Sequence, residues 1–231
     1  QEIYMTVPQK YVTLSNGLLI SQKKNADGTR TDYWKMDLPH APYLFFMGVG
    51  DFSIIKDSYK GKEVSYYVEK AYAPYARKIF GNTPEMIKFF SEKLGVEFPW
   101  AKYAQIVGRD YVSGAMENTT ATLHQESAYQ NGRQLIDGNI WEETIAHELF
   151  HQWFGDLVTA ESWTNITVNE SFANYSEYLW DEYKYGKDYA DAHNFEDMQG
   201  YLQSGGEQKD LVRFHYADKE DVFDGVSYNK G

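Results

Sequence analysis

His147-Glu148-Leu149-Phe150-His151 sets two imidazoles four residues apart, and Glu170 follows nineteen positions after the second. Residues four apart share one face of an α-helix, so both rings can present a nitrogen to a single point. Zinc accepts such nitrogens at about 2.0–2.1 Å, and a catalytic zinc site uses three protein ligands with a position left for water. Glu170 is the expected third ligand. Glu148 directly follows His147, so it is expected to flank the cation rather than bind it, where a carboxylate can take a proton from water.

Those side chains need two helices. The spacing predicts one over 139–154, with Ile140, Ile145, Leu149 and Trp153 as an apolar stripe that Trp141, Phe150 and Phe154 widen, and with Gly155 as its stop. A second is predicted over 167–183, where Val168, Phe172, Tyr175 and Leu179 recur at helical spacing and Gly186 ends the run. Packed antiparallel, the pair would bring Glu170 over His151. Phe154 and Leu157 stand where a metzincin needs a glycine and a histidine, which excludes that class.

A second segment, Gly114-Ala115-Met116-Glu117-Asn118, lies between two strand-like runs, 103–107 and 119–123. Taken with the zinc pattern, it makes the chain resemble the M1 family of zinc aminopeptidases (gluzincins), whose hallmarks are a Gly-x-Met-Glu-Asn strand and this zinc helix. Gln152-Trp153-Phe154-Gly155 matches the close of that family's zinc helix, and Asn169-Glu170-x-Phe172-Ala173 its second-helix signature. Val226-Ser227-Tyr228-x-Lys230-Gly231 is similar to the segment carrying the family's catalytic tyrosine.

The resemblance implies a thermolysin-like α+β fold, one Zn2+ per chain, and peptide substrates with a free amino terminus. It implies Glu148 as general base and Tyr228 as the donor that stabilises the oxyanion. Gly114, Ala115, Met116, Glu117 and Asn118 become substrate-binding residues. Among them Glu117 would pair with the substrate's ammonium, Gly114 and Ala115 would admit its backbone, and Met116 either lines the pocket for the first side chain or packs in the core. Two positions depart from the family pattern: Asp156 replaces the usual asparagine and Ser171 the usual glycine. The acidic or amide residue that the family draws from an earlier part of its amino-terminal domain to hold the amine has no match here. A thermolysin-like endopeptidase, or an inactive fragment that binds zinc or peptide, are the alternative readings.

At 231 residues, 42% apolar and 17% aromatic, the chain can fill a sizeable core. A formal charge of −12 argues against nucleic acid as a partner, because phosphate binding needs clustered Lys and Arg. Cysteine is absent, so a metal site here uses no thiolate. No apolar run approaches the roughly 20 residues that span a bilayer, and the stretch 43–49 reads as a buried strand. Cytoplasmic and exported locations both stay open. The sequence ends three residues after Tyr228 in mid-pattern, so it is expected to be a fragment whose remaining domains belong to a longer parent.

Residues 1–59 read as β-rich, with strands expected at 11–14, 18–22, 31–36 and 43–55 and turns at Asn16-Gly17 and Asp27-Gly28. They are expected to close an amino-terminal β domain, with the zinc peptidase domain over 60–231 and the boundary near Gly61. Glu63 to Val68 would be its first strand. Thr83-Pro84-Glu85 reads as a helix start with a capping hydroxyl; Met86, Phe89, Phe90 and Leu94 supply an apolar face, and Gly95 ends it. A further helix is expected over 188–203. His40, His124, His193 and His215 have no ligand-like spacing and read as structural or exposed.

Overall fold

The computed structural model of the protein describes residues 1–203 and 210–231. The chain forms two compact units, Gln1–Ile145 and Ala146–Gly231.

In the first unit the elements run β1 (Glu2–Pro8), β2 (Val12–Ser15), β3 (Leu18–Lys24), β4 (Thr29–Lys35), β5 (Met47–Gly50), β6 (Phe52–Tyr59) and β7 (Lys62–Glu69). Helices α1 (Ala76–Phe80) and α2 (Thr83–Leu94) follow, then β8 (Lys102–Gly108), β9 (Ala115–Met116) and β10 (Ala121–Gln125). Strands β1, β4 and β3 form an antiparallel sheet and β2 pairs with β5. The third sheet has the order β6-β7-β8-β10-β9; β7, β8 and β10 run parallel, while β6 and β9 are antiparallel to their neighbours. The chain is therefore α+β with a mixed sheet, as its pattern of strands followed by helices predicts.

Three sequence expectations need correction here. Strand β1 was not anticipated, although Met5 and Val7 alternate with exposed neighbours as a half-buried strand requires. The stretch 43–49 is not a buried strand: a 3₁₀ turn at Pro42–Leu44 precedes β5, and Tyr43, Phe45, Met47 and Val49 are 37–58% exposed. Its apolar residues fall on both faces of the chain, and one face looks outward. Thr83 does not cap α2. It is the first helical residue, and its hydroxyl donates to the Phe80 carbonyl at 2.6 Å, while Asn82 takes the cap position. Gly95 does end the helix, in the left-handed conformation at φ 66°.

The expected Asn16-Gly17 turn does more than reverse the chain. Asn16 is fully buried; its amide donates to the carbonyls of Leu44 (3.0 Å) and Thr119 (2.6 Å) and accepts from the Phe46 amide at 2.7 Å. Gly17 has φ 74°, and a Cβ there would lie 2.0 Å from the Lys35 carbonyl oxygen, so no other residue fits.

Lys102 is buried beside this turn. Its ammonium donates to Ser15 O (3.1 Å), Thr120 O (2.7 Å) and Thr120 Oγ1 (3.2 Å), holding Thr120 at φ 64° two residues after Asn118. Burial pushes the Lys102 pKa down to about 7, against a smaller upward pull from Glu63. Between that pH and the ordinary lysine value near 10.5 the unfolded chain binds the extra proton, so unfolding free energy should rise with pH across this window. The slope is at most about 1.4 kcal/mol per pH unit. Urea melts from neutral pH to the lysine range should show that rise in the parent protein, and Lys102→Met should flatten it.

In the second unit, α3 (Glu142–Phe150) ends, α4 (Thr167–Tyr185) follows, and α5 (Lys187–Gln203) lies against α4. Helix α3 is shorter than expected. It begins after Asn139, whose side chain accepts from the Trp141 amide at 3.1 Å, and Ile140 is 75% exposed rather than part of the stripe. Ile145, Leu149 and Trp153 are buried as predicted.

For α4 the helix is where the spacing predicts it, but the buried face is another one. Phe172 and Tyr175 are 47% and 56% exposed, whereas Asn169, Glu170, Ala173, Ser176 and Trp180 are buried. Small residues let the backbones approach: Ser176 Oγ reaches the carbonyl of Ala146 at 3.4 Å. Apolar periodicity pointed to the outward face because the inward face carries the polar groups of the site. Among the described residues no helix is long and apolar enough to cross a membrane.

Candidate active site

The close of α3 and the first turn of α4 bring His147, His151 and Glu170 together. Glu170 Oε2 lies 3.5 Å from His147 Nε2 and 3.5 Å from His151 Nε2, and all three residues are buried. His151 stands one residue past the last helical residue of α3, yet its amide still donates to the His147 carbonyl at 3.2 Å, which preserves the four-residue stacking.

The hydrogen bonds of the outer ring nitrogens fix which ring nitrogen faces inward. His147 Nδ1 is 2.7 Å from Glu177 Oε1, and His151 Nδ1 is 2.9 Å from the Phe154 carbonyl. Each Nδ1 donates its proton outward, so Nε2 is the ring nitrogen that faces Glu170. Gly155 serves the second of these bonds. It adopts φ 135°, and a Cβ there would sit 3.1 Å from His151 Nδ1. The chain then turns back, with the Asp156 amide on the His151 carbonyl (2.9 Å) and a bridge between Phe154 and Val158.

Two ligands at about 2.0–2.1 Å from a tetrahedral cation are about 3.4 Å apart. The observed carboxylate–imidazole separations match that spacing, and the ligand atoms of the three residues all lie within 4.8 Å of one another. The group can hold a divalent cation. Its electrostatics agree. Burial by itself would lower the His147 pKa, but hydrogen bonds with Glu170 and Glu177 carry it well above the ordinary value. Burial would raise Glu170, but the charge on His151 and hydrogen bonds from both imidazoles hold it well below the carboxylate range. Cation binding displaces protons from such groups.

Tyr228 belongs to the same unit. Its ring centroid is 6.2 Å from that of His147 with planes 21° apart, and it sits in a single π-helical turn, Val226–Lys230. Glu148, buried, follows His147 on α3.

The other predicted residues lie in the first unit. Ala115 and Met116 form β9, the end strand of the mixed sheet, with Leu123 opposite Met116 and the Gln125 amide on the Gly114 carbonyl at 2.9 Å. A Cβ on Gly114 would meet nothing within 4 Å, so the glycine leaves open space beside the strand. Glu117 and Asn118 are buried just beyond it, with the Asn118 amide on the Phe45 carbonyl at 3.2 Å. His124 is a core residue: its Nδ1 accepts from the Trp141 indole at 3.1 Å, its Nε2 meets Gln105 at 2.9 Å, and burial lowers its pKa to about 3.

Sequence reasoning missed Glu177. Its signal was its place seven residues after Glu170, two helical turns along the same face.

Residues 79–231 match the model of the peptidase family M1 domain, and the chain belongs to that family. It is 29% identical to Aminopeptidase M1 of Arabidopsis thaliana over the whole of this chain and 27% of that protein. Against Endoplasmic reticulum aminopeptidase 1 of Homo sapiens it is 29% identical over 96% of this chain and 24% of the relative. Against Glutamyl aminopeptidase of Sus scrofa it is 30% identical over 97% and 25%. The chain thus spans about a quarter of the length of these curated relatives.

Proposed function

We propose that this chain carries the reacting groups of a zinc aminopeptidase, with a thermolysin-like catalytic domain over 60–231 preceded by the close of an amino-terminal β domain. The observation that supports it best is the convergence of His147 Nε2, His151 Nε2 and the Glu170 carboxylate, each imidazole already held by an acceptor on its far side. Two imidazoles and a carboxylate favour zinc over cobalt or manganese.

Zinc held by these three residues supplies a Lewis acid for the scissile carbonyl and lowers the pKa of water toward 7. The chain's own groups do the rest. Glu148 takes the proton of the attacking water and delivers it to the leaving amine. Tyr228 donates its hydroxyl hydrogen to the carbonyl oxygen as that oxygen becomes negative. Glu117 pairs with the substrate's ammonium and sets the first peptide bond in register, which makes the enzyme an exopeptidase. Substrate backbone adds beside Gly114 and Ala115 at the end strand, where the sheet has no further neighbour among the described residues. Met116 and Asn118 line the same segment.

Glu177 fixes the His147 ring, so Glu177→Ala is expected to weaken zinc binding about 10–100-fold, as loss of such outer partners does. Competition with a chromogenic chelator measures it directly. The functional reading is tested by assaying zinc-loaded protein on one peptide with its amino terminus free and with it acetylated. The free peptide alone should be cleaved, and Glu117→Ala should erase that preference. Cleavage of the blocked peptide at internal bonds, indifferent to Glu117, would instead identify an endopeptidase; zinc binding without cleavage of either would identify a binding module.

A further inference from the structure

We propose that Arg213 is a positioning residue for Tyr228, acting through Asp224 and Ser227, and that Ser171 fastens the same turn to the helix that carries Glu170. The inference rests on the role assigned to Tyr228 above. A hydroxyl that must meet an oxygen as its charge develops has to be held in place, since misplacement by about 1 Å can cost a hundredfold in rate. Tyr228 lies in a single π-helical turn whose Ser227 and Tyr228 amides both donate to the Asp224 carbonyl, at 3.0 and 3.2 Å, so Asp224 sets where the turn begins.

The structure surrounds that turn with a fixed frame. Arg213 is nearly buried, its side chain 10% exposed. Its guanidinium grips the Asp224 carboxylate with both terminal nitrogens, Nη1 to Oδ2 at 2.7 Å and Nη2 to Oδ1 at 3.1 Å. The same Nη2 donates to Ser227 Oγ at 2.6 Å and to the Val222 carbonyl at 2.8 Å. Asp224 passes the constraint on, because its Oδ1 accepts from the amides of Val226 (3.0 Å) and Ser227 (3.3 Å). From the other side, Ser171 Oγ donates to the Ser227 carbonyl at 2.6 Å. Ser227 immediately precedes Tyr228, and Ser171 immediately follows Glu170. Arg213 itself is tied through its backbone amide to the Thr164 carbonyl at 3.2 Å.

A planar fork can hold two carboxylate oxygens, a hydroxyl and a carbonyl at once, with one of the two Nη2 hydrogens shared between acceptors, in a geometry a lysine cannot reproduce. The hydroxyl of Ser171 supplies an anchor that an alanine or glycine there would lack.

The test is a double-mutant cycle on the zinc-loaded protein. Arg213→Lys is expected to lower kcat about 10–100-fold while KM stays within about twofold and zinc content is unchanged. Ser171→Ala should lower kcat less, and Ser171→Thr, which keeps the hydroxyl, should restore it. In a Tyr228→Phe background, Arg213→Lys should cost less than about twofold, because its route of action is already gone. If Tyr228→Phe is slow but Arg213→Lys still exacts its full factor there, or if Arg213→Lys sheds zinc, the inference fails and the role of Tyr228 stands. If Tyr228→Phe turns over at the parent rate, the assignment of Tyr228 fails and carries the inference with it.

Discussion

Replacing Glu148 by alanine is expected to lower kcat by about 10²–10⁴ while leaving zinc bound, because a positioned base contributes on that order and the ligands are untouched. Glu148 follows His147 on α3, so its side chain points about a quarter-turn away around the helix axis. That offset lets it face a substrate beside the cation without taking a coordination position. Side-by-side measurement of kcat and of bound zinc after dialysis separates chemistry from binding. A Glu148→Ala protein that retains near-parental turnover sinks the mechanism.

His147→Ala should fail one step earlier, with zinc stoichiometry falling from about one per chain to near zero and activity lost with it. The substitution removes one of three ligands. It also strips the partly exposed Glu177 of the hydrogen bond at 2.7 Å and leaves the buried Glu170 facing His151 alone. Restoring activity therefore requires more than added zinc. Metal analysis after dialysis, and activity at zinc concentrations up to millimolar, check both halves. Full recovery at micromolar zinc would mean that His147 is not a ligand.

The convergence of His147, His151 and Glu170 could be read from the chain because short-range geometry governs it. The four-residue interval between His147 and His151 acquires its meaning from helical pitch alone, and Glu170 had its place from the helix that Thr167 to Tyr183 was expected to form. The outer shell was harder to see. Glu177 looked like any acidic residue on a solvated helix face, and Arg213, Asp224 and Ser227 are scattered through a stretch with little periodicity. Their roles arise from contacts that no local rule encodes. Ile140 and the stretch 43–49 show the reverse error. Ile140, Tyr43, Phe45, Met47 and Val49 are apolar yet exposed, while Leu44 beside them is buried, since apolar character permits burial without requiring it.

Helix α4 draws the line between the two kinds of knowledge most clearly. Sequence alone determined that a helix forms there, that Glu170 lies in its first turn and that Gly186 ends it, because backbone propensity and periodicity are properties of neighbouring residues. Tertiary structure decided which side of that helix faces inward. The polar face won, with Glu170, Asn169 and Ser176 buried and Phe172 and Tyr175 left outside. Small side chains at Ala173 and Ser176 admit the neighbouring backbone closely, and the paired imidazoles offset the cost of burying a carboxylate; both partners are distant in the chain and become neighbours only on folding.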